Sequence, residues 1–345
     1  MTPGVLSRWR TVLVAGAAIG AVMAGILLMG GFAIVPSLTA LWNGAFGSSY
    51  ALFSATLVRA TPLLLVGLGV GLAFRAGIVN IGAEGQLLAG ATAATAMGLW
   101  LPSMPAFVAV PTVLAAGVVA GAAWSAIAGW LKLRFGVLEV ISTLMLNFIA
   151  TYMVSWLVRG PLQEPTHIYP QTRELPDTVH LPPLMAAHRV HAGLVLGIGL
   201  AIAVWWLLRR TELGFRIRAV GANASAAWSA GGILPARTTA LVFVLSGALA
   251  GLGGASEVTG VTYALYEGLS PGYGYSAIAV ALLARLHPLA MIASAVFFGA
   301  LEAGAAAMQR DANVPSVLAQ VIEALIVLGV LALHRVRAQN GGSRD

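Results

Sequence analysis

The chain contains no cysteine and few charged residues. Without thiols it can form no disulfide, thiolate nucleophile or cysteine-ligated metal site. Charged residues make up 9% of its 345 residues, whereas a typical soluble protein carries about 25%. Hydrophobic residues make up 59%. This composition excludes an ordinary soluble domain and indicates an all-α protein that crosses the membrane several times.

Motifs of nucleotide hydrolysis are also missing. The sequence has no G-x-x-x-x-G-K-[ST] and no G-x-G-x-x-G opening a βαβ unit, so any ATP-driven step would need another chain. His188 and His191 are three residues apart but have no obvious third ligand, and we expect no metal site. No Ser/His/Asp order forms a nucleophile elbow. We therefore expect no catalytic residue.

Apolar runs of about 20 residues predict about ten spanning helices. The predicted spans are residues 11–36, 51–74, 84–101, 106–131, 137–158, 190–208, 236–255, 274–286, 288–308 and 314–333. His287-Pro288 predicts a tight turn or kink, because the residue before a proline avoids helical geometry. Most of the 19 lysines and arginines fall on one side of these spans. The positive-inside rule then places both termini in the cytoplasm, and the net charge requires no nucleic-acid partner.

Residues 80–86 form a polar, glycine-punctuated segment between two apolar runs. Polar groups at membrane depth persist only inside protein or beside a water-filled cavity. Glu84 also suits the first turn of a helix, where the macrodipole favours a carboxylate. Asn80 can bond free backbone beside Gly77 and Gly82. We predict that Asn80, Glu84 and Gln86 line a pathway, stabilise this helix start, or do both.

A second polar cluster lies within residues 139–147. The hydroxyls of Ser142 and Thr143 can bond back to helix carbonyls. Asn147 has four hydrogen-bonding positions to satisfy, so it either joins two helices or faces the pathway. Glycines spaced four residues apart, such as Gly117/Gly121 and the pair at 247 and 251, predict close helix packing.

Two loops stand out by composition. Residues 160–189 are rich in proline and are predicted to form an extracytoplasmic loop. Residues 209–237 are basic and are predicted to lie in the cytoplasm. Their small residues suit one or two short helices, one of which Asn223 or Ser225 can cap.

Four segments together resemble the membrane permease of an ABC importer in the branched-chain amino acid/ribose/simple-sugar superfamily, and its nucleoside branch in particular. They are residues 77–86 (GIVNIGAEGQ), 139–147 (EVISTLMLN), 213–223 (LGFRIRAVGAN) and 272–282 (GYGYSAIAVAL). The segments follow the family's order and spread over most of the chain. The resemblance implies one importer transmembrane domain over residues 1–345, in the inner or plasma membrane of a bacterium.

The resemblance also implies partners. Two permease chains, identical or related, would surround a central pathway within the lipid, and an extracytoplasmic binding protein would deliver the solute. A separate ATP-binding subunit would hold ATP and Mg, while this chain binds no cofactor. Residues 209–237 would be the coupling segment, which docks on that subunit. The matching positions in it are Leu213, Gly214, Phe215, Arg216, Arg218, Gly221 and Asn223.

Other functions stay open at this point. Nucleosides are the first expectation for the solute, and a ribose-like simple sugar is the alternative. An ion-coupled secondary transporter would instead use Glu84, Glu302 or Glu323 as a relay, since carboxylates within the membrane mark such relays. A dependence on ATP rather than on an ion gradient separates the two mechanisms.

Overall fold

The computed structural model describes residues 20–101 and 104–315, with seven further positions between 317 and 329. The regular elements in these residues are all helical, and the only β-pairings are two isolated bridges. The described residues before 57 and after 298 form one compact unit. Residues 57–298 form a second unit, which contains the polar segments and the predicted coupling segment.

Twelve α-helices lie within residues 20–101 and 104–315. They are α1 (Gly20–Met29), α2 (Ile34–Phe46), α3 (Leu57–Arg75), α4 (Ala83–Trp100), α5 (Ala106–Phe135), α6 (Glu139–Val158), α7 (Gly193–Arg210), α8 (Glu212–Ala222), α9 (Ala224–Gly231), α10 (Pro235–Glu257), α11 (Tyr273–Leu283) and α12 (Pro288–Asp311). A π-helical turn precedes α3 (Ala51–Thr56), and another follows α10 (Val258–Thr262).

Six of the described helices are long and apolar enough to cross a membrane, counting α3 and α10 with their π-turns. The other four are α5, α6, α7 and α12. The helix pair α1–α2 is a seventh candidate if it is one bent span. The other predicted spans coincide with α4, with the shorter α11 and with residues 314–333, which are described only in part. The chain is therefore a multi-pass membrane protein.

The first predicted span is broken in the structure, so the prediction of one helix over residues 11–36 is wrong. Helix α1 ends at Met29, and the axis turns by 118° into α2. The amide of Phe32 bonds the carbonyl of Leu27 at 2.8 Å, and Gly31 has φ +78°. This is the glycine-terminated end of a helix. Residues 11–19 lie outside the described residues.

Glycines bring α4, α5 and α10 into backbone contact. A Cβ at Gly121 would overlap the carbonyl of Gly247, and one at Gly251 would overlap the carbonyl of Gly117. The predicted close packing of these two glycine pairs is confirmed. Helices α3 and α10 are mostly buried in this arrangement, whereas most residues of α5, α6 and α7 are only partly buried or are exposed. The exposed apolar faces suit lipid or another membrane chain.

The proline-rich loop packs along the segment that follows α10. Backbone amides of Thr172, Leu175 and Leu181 donate to carbonyls of residues 259–265 at 2.7–2.8 Å. The side chains of Leu175 and Leu181 are buried. This loop is therefore an ordered cap over one end of the bundle.

A tight turn joins α11 to α12, as the His287-Pro288 pair predicts. Arg285 and Leu286 have positive φ angles of +52° and +57°, and α12 begins at Pro288. The turn lies beside the end of α3. Nε of Arg75, in the last turn of α3, donates to the Leu286 carbonyl at 3.2 Å.

Candidate functional site

The polar segment begins where α3 ends. The amide of Ile78 bonds the carbonyl of Ala73 at 3.0 Å, and the amide of Gly77 bonds that of Phe74 at 3.1 Å. Gly77 has φ +73°, a conformation that favours glycine. The two bonds form a Schellman motif, which closes the helix and satisfies its last carbonyls. The chain then runs without helix to Ala83, the first residue of α4.

Asn80 is fully buried, and all of its side-chain hydrogen-bonding positions are filled. Its Oδ1 accepts from the Gly82 amide at 3.0 Å and from Nε2 of Gln86 at 3.1 Å. Its Nδ2 donates to Oε1 of Gln86 at 3.2 Å and to Oγ of Ser246 on α10 at 2.9 Å. The predicted bonding of Asn80 to free backbone is confirmed. The amide also ties the start of α4 to α10.

Glu84 lies in the first turn of α4 and is also bonded to another helix. Its Oε2 accepts from the backbone amide of Gly274 at 2.7 Å, in the first turn of α11. Each helix N-terminus carries roughly half a positive charge, so one carboxylate interacts with two such ends. A Cβ at Gly274 would overlap the backbone of Glu84. Glycine at 274 is therefore required for this close approach.

Asn147 joins α6 to the start of α4. Its Oδ1 accepts from the Gly85 amide at 2.8 Å, and its Nδ2 donates to the Ile81 carbonyl at 2.9 Å. The Nδ2 also lies 3.2 Å from the hydroxyl of Tyr275 on α11. The structure thus supports the helix-joining role that the sequence left open for Asn147.

The four predicted pathway residues meet around one point, the start of α4. We call this cluster, Asn80, Glu84, Gln86 and Asn147, the α4 joint. It connects α4 to α6, α10 and α11. Each of the four side chains is buried within the chain. The accessible residues beside the joint are Val79 and Tyr275, with 42% and 43% of their surface exposed.

Sequence reasoning missed the partners that complete the joint. Gly274 and Tyr275 lie within the segment 272–282, which resembled the family, but nothing in the sequence paired them with α4 or α6. Ser246 carried no signal at all. Trp124 was also missed; its buried indole nitrogen lies beside Gly85 and has no hydrogen-bond partner among the described residues.

The predicted coupling segment folds as two short helices, α8 and α9. Oγ1 of Thr211 accepts from the Gly214 amide at 3.1 Å and caps α8. Oδ1 of Asn223 accepts from the Ala226 amide at 2.9 Å and caps α9. The predictions of short helices and of a cap at Asn223 are confirmed. Gly232, with φ +59°, ends α9.

The coupling-segment residues divide into two groups. Gly214 and Gly221 face inward, since a Cβ on them would overlap the carbonyls of Leu207 and Arg75. Residues on the opposite side face out, and they include an ion pair of Arg216 with Glu212 at 2.6 Å. Phe215 and Trp228 are more than half exposed. Leu213 and Arg218 are partly buried.

A family model described as "branched-chain amino acid transport system / permease component" matches residues 52–331. The chain belongs to this permease family. The permease is therefore a transport subunit and not an enzyme. It is one component of a transport system, and ATP hydrolysis belongs to a separate chain.

Relatives of the permease include several ABC transporter permeases. A glucose permease protein of Haloferax volcanii, TsgB13, is 39% identical over 79% of this chain and 74% of its own length. A guanosine permease protein of Bacillus subtilis, NupP, is 36% identical over 94% of this chain and 92% of its own length. A nucleoside permease protein of Lactococcus lactis, NupB, is 32% identical over 91% and 87%.

Proposed function

We propose that this permease is the membrane subunit of an ATP-driven, binding-protein-dependent importer of nucleosides. The observation that carries the proposal is the match to a guanosine permease over 94% of this chain at 36% identity. We further propose about ten spans, both termini in the cytoplasm, and residence in the inner or plasma membrane of a bacterium. The basic residues at one end of the spans support this orientation.

The α4 joint is the proposed moving part of the solute pathway. Import by alternating access needs helices that keep a defined arrangement in each state, and packed cores switch between discrete arrangements. Hydrogen bonds from α4 to α6, α10 and α11 link these helices, so movement of one is passed to the others. We propose that Asn80, Glu84, Gln86 and Asn147 border the pathway in the assembled transporter. A pathway must also release its solute, so selectivity would lie mainly in the binding protein.

The outward face of α8 and α9 is the proposed docking surface for the ATP-binding subunit, which would hold ATP and Mg. Phe215 and Trp228 supply exposed aromatic surface, and aromatic residues are enriched at protein interfaces. Gly214 and Gly221 fix α8 against α7 and the end of α3. A displacement of α8 would therefore be transmitted to the end of α3, which immediately precedes the α4 joint. A second permease chain, identical or related, would complete the pathway.

A simple sugar is the second candidate solute. The glucose permease protein of H. volcanii has the higher identity, 39%, but over 79% of this chain. NupP and NupB match over more of the chain, 94% and 91%, and we give nucleosides precedence on that ground. The ion-coupled relay has less support. Glu84 is engaged at the α4 joint, Glu302 lies in α12, and Glu323 lies outside the described residues.

Uptake into proteoliposomes tests the proposal. The permease would be reconstituted with the ATP-binding, binding-protein and second permease chains encoded beside it. Labelled guanosine, adenosine, uridine, glucose and ribose would be supplied with ATP or with an ion gradient alone. We expect ATP-dependent uptake of a nucleoside. Uptake of glucose or ribose only would establish the sugar alternative, and uptake driven by an ion gradient without ATP would overturn the mechanism.

The variant Asn147→Ala tests the α4 joint in the same assay. It removes three hydrogen bonds and leaves the Gly85 amide and the Ile81 carbonyl unpaired. We expect an assembled transporter with lower uptake. The control, Tyr275→Phe, removes only the hydroxyl contact and should retain more activity. Wild-type uptake by Asn147→Ala would remove Asn147 from the pathway.

A further inference from the structure

A cavity of about 300 Å³ lies beside the inward face of α8. The ends of α3 and α7, the middle of α8 and the turn from α11 to α12 surround it. Its lining residues are Arg75, Trp205, Leu208, Arg209, Arg218, His287 and Pro288. The volume is at the small end of the range of roughly 300–1,000 Å³ for ligand pockets. It has room for a group the size of a phosphate.

Three guanidinium groups line this cavity, and no carboxylate does. Arg75 donates to the Leu286 carbonyl at 3.2 Å, and the Arg209 guanidinium lies 5.8 Å from the ring centre of Trp205. None of the ion pairs among the described residues involves Arg75, Arg209 or Arg218. The acidic residue of α8, Glu212, pairs with Arg216 on the outward face. The cavity is therefore strongly positive.

Helix ends do not cancel this charge. Arg75 and Arg209 lie in the last turns of α3 and α7, and each such end carries roughly half a negative charge. The two ends together offset about one of the three guanidiniums. Arg218 is not in the last turn of α8. His287 and Pro288 lie at the start of α12, whose positive end adds to the potential. Helix capping therefore accounts for only part of the cluster.

We propose that this cavity binds a phosphate group, the head of an anionic membrane lipid or a soluble phosphate. Arginine forks match phosphate oxygens in geometry and charge. Basic pockets between helices on the cytoplasmic side bind anionic headgroups. Here the cytoplasmic side follows from the proposed orientation of the permease. A phosphate bound by Arg75, Arg209 and Arg218 would link α8 to α3 and α7, so it would stiffen the proposed coupling segment.

Lipid titration of the purified transporter tests the proposal. The permease, co-purified with its ATP-binding chain in mild detergent, would be titrated with phosphatidylglycerol or phosphatidylcholine and followed by native mass spectrometry. The test variant is Arg209→Gln with Arg218→Gln. The matched control is Arg210→Gln, which removes the neighbouring exposed arginine that does not line the cavity. Thermal unfolding of each variant in detergent checks that the fold is retained, and Arg218→Gln alone is used if the double variant is unfolded.

We expect the wild type and Arg210→Gln to bind phosphatidylglycerol alike, and the double variant to bind it roughly tenfold more weakly. Phosphatidylcholine should bind equally to all three.

Excess inorganic phosphate that displaces the lipid from the wild type would identify a soluble phosphate as the competing source. Equal phosphatidylglycerol binding by all proteins overturns the proposal. The proposal is also overturned if the double variant still binds phosphatidylglycerol but no longer co-purifies with the ATP-binding chain. That result would show that the cavity receives an acidic side chain of the partner chain. Lipid binding is measured without transport, so the test of this cavity is independent of the proposed solute.

Discussion

The α4 joint depends on single amide groups whose partners are far away in sequence. Asn80 bonds Ser246, 166 positions later, and Asn147 bonds Gly85, 62 positions earlier. The sequence predicted that these amides need partners within the membrane, because an unpaired polar group there is costly. It could not predict which partners they have. No local pattern joins residues on helices that meet only after folding.

A double-mutant cycle tests whether Asn80 and Gln86 act as one unit. Asn80→Leu leaves the Gly82 amide, the Gln86 side chain and the Ser246 hydroxyl without their partner. Each buried group left unpaired costs about 1–3 kcal/mol. Gln86→Leu removes part of the same network, so we expect the double variant to lose less thermal stability than the two single losses added. Additive shifts in melting temperature in detergent would show that the two amides are independent.

Glu267 provides a prediction on pH in the segment outside the spans. The Ser155 hydroxyl, at 2.7 Å, and then the Arg159 guanidinium, at 3.1 Å from Nε, lower the pKa of the Glu267 carboxyl. A lowered pKa means that the ionised form stabilises the fold. This contribution is present at neutral pH and is lost as pH falls below the carboxyl's ordinary value of about 4.3.

The melting temperature of wild type minus that of Glu267→Gln measures this contribution. We expect a constant positive difference from pH 7 to pH 5 that shrinks as the pH is lowered further. Ser155→Ala should reduce the difference, because it removes the first of the two donors. A difference in melting temperature that grows at low pH would contradict the conclusion that the ionised Glu267 carboxylate stabilises the fold.

At the scale of helices, apolar runs locate most elements but not their breaks. The long helices follow the predicted spans closely, and Pro288 begins α12 as the His287-Pro288 pair predicts. The break after Met29 was missed because residues 11–36 are apolar throughout, and hydropathy does not report backbone conformation. Gly30 and Gly31 were the available signal. The sequence carried no signal for the π-helical turns at 51–56 and 258–262.

The contact between α5 and α10 predicts a sharp difference between two glycine substitutions. Gly251→Ala would place a methyl group against the backbone of Gly117, and overpacking of this kind costs about 1–3 kcal/mol. Gly199→Ala, on α7, would meet nothing and should be neutral or slightly stabilising, since alanine favours helix. Thermal unfolding in detergent compares them. Equal stability of the two variants would contradict the backbone contact.

The coupling segment predicts an effect of charge on docking. Arg216→Glu reverses a charge on the outward face of α8, and we expect less ATP-binding chain to co-purify with the permease. The control is Glu212→Gln, which breaks the same ion pair but keeps the arginine. Loss of an exposed pair at this spacing costs only about 0.3–0.5 kcal/mol. A wild-type yield of the complex with Arg216→Glu would exclude this residue from the interface.

At the scale of the whole molecule, composition and charge predict a great deal. The low content of charged residues is enough to indicate a multi-pass membrane protein, and the four motifs were enough to indicate the permease family. The sequence cannot give the solute, because no residue of the α4 joint distinguishes a nucleoside from a sugar. An orientation in the membrane, by contrast, is predicted from the basic residues alone. It is also the condition on which the proposed coupling to a cytoplasmic ATPase depends.

Cysteine accessibility in intact cells measures this orientation most directly. The chain has no cysteine of its own, so Ala222→Cys on α8 and Ala187→Cys in the proline-rich loop each create one exposed thiol. A membrane-impermeant maleimide should label position 187 from outside and reach position 222 only after the membrane is opened. Labelling of Ala222→Cys from outside intact cells would place the coupling segment on the wrong face and contradict the proposed ATP-driven importer.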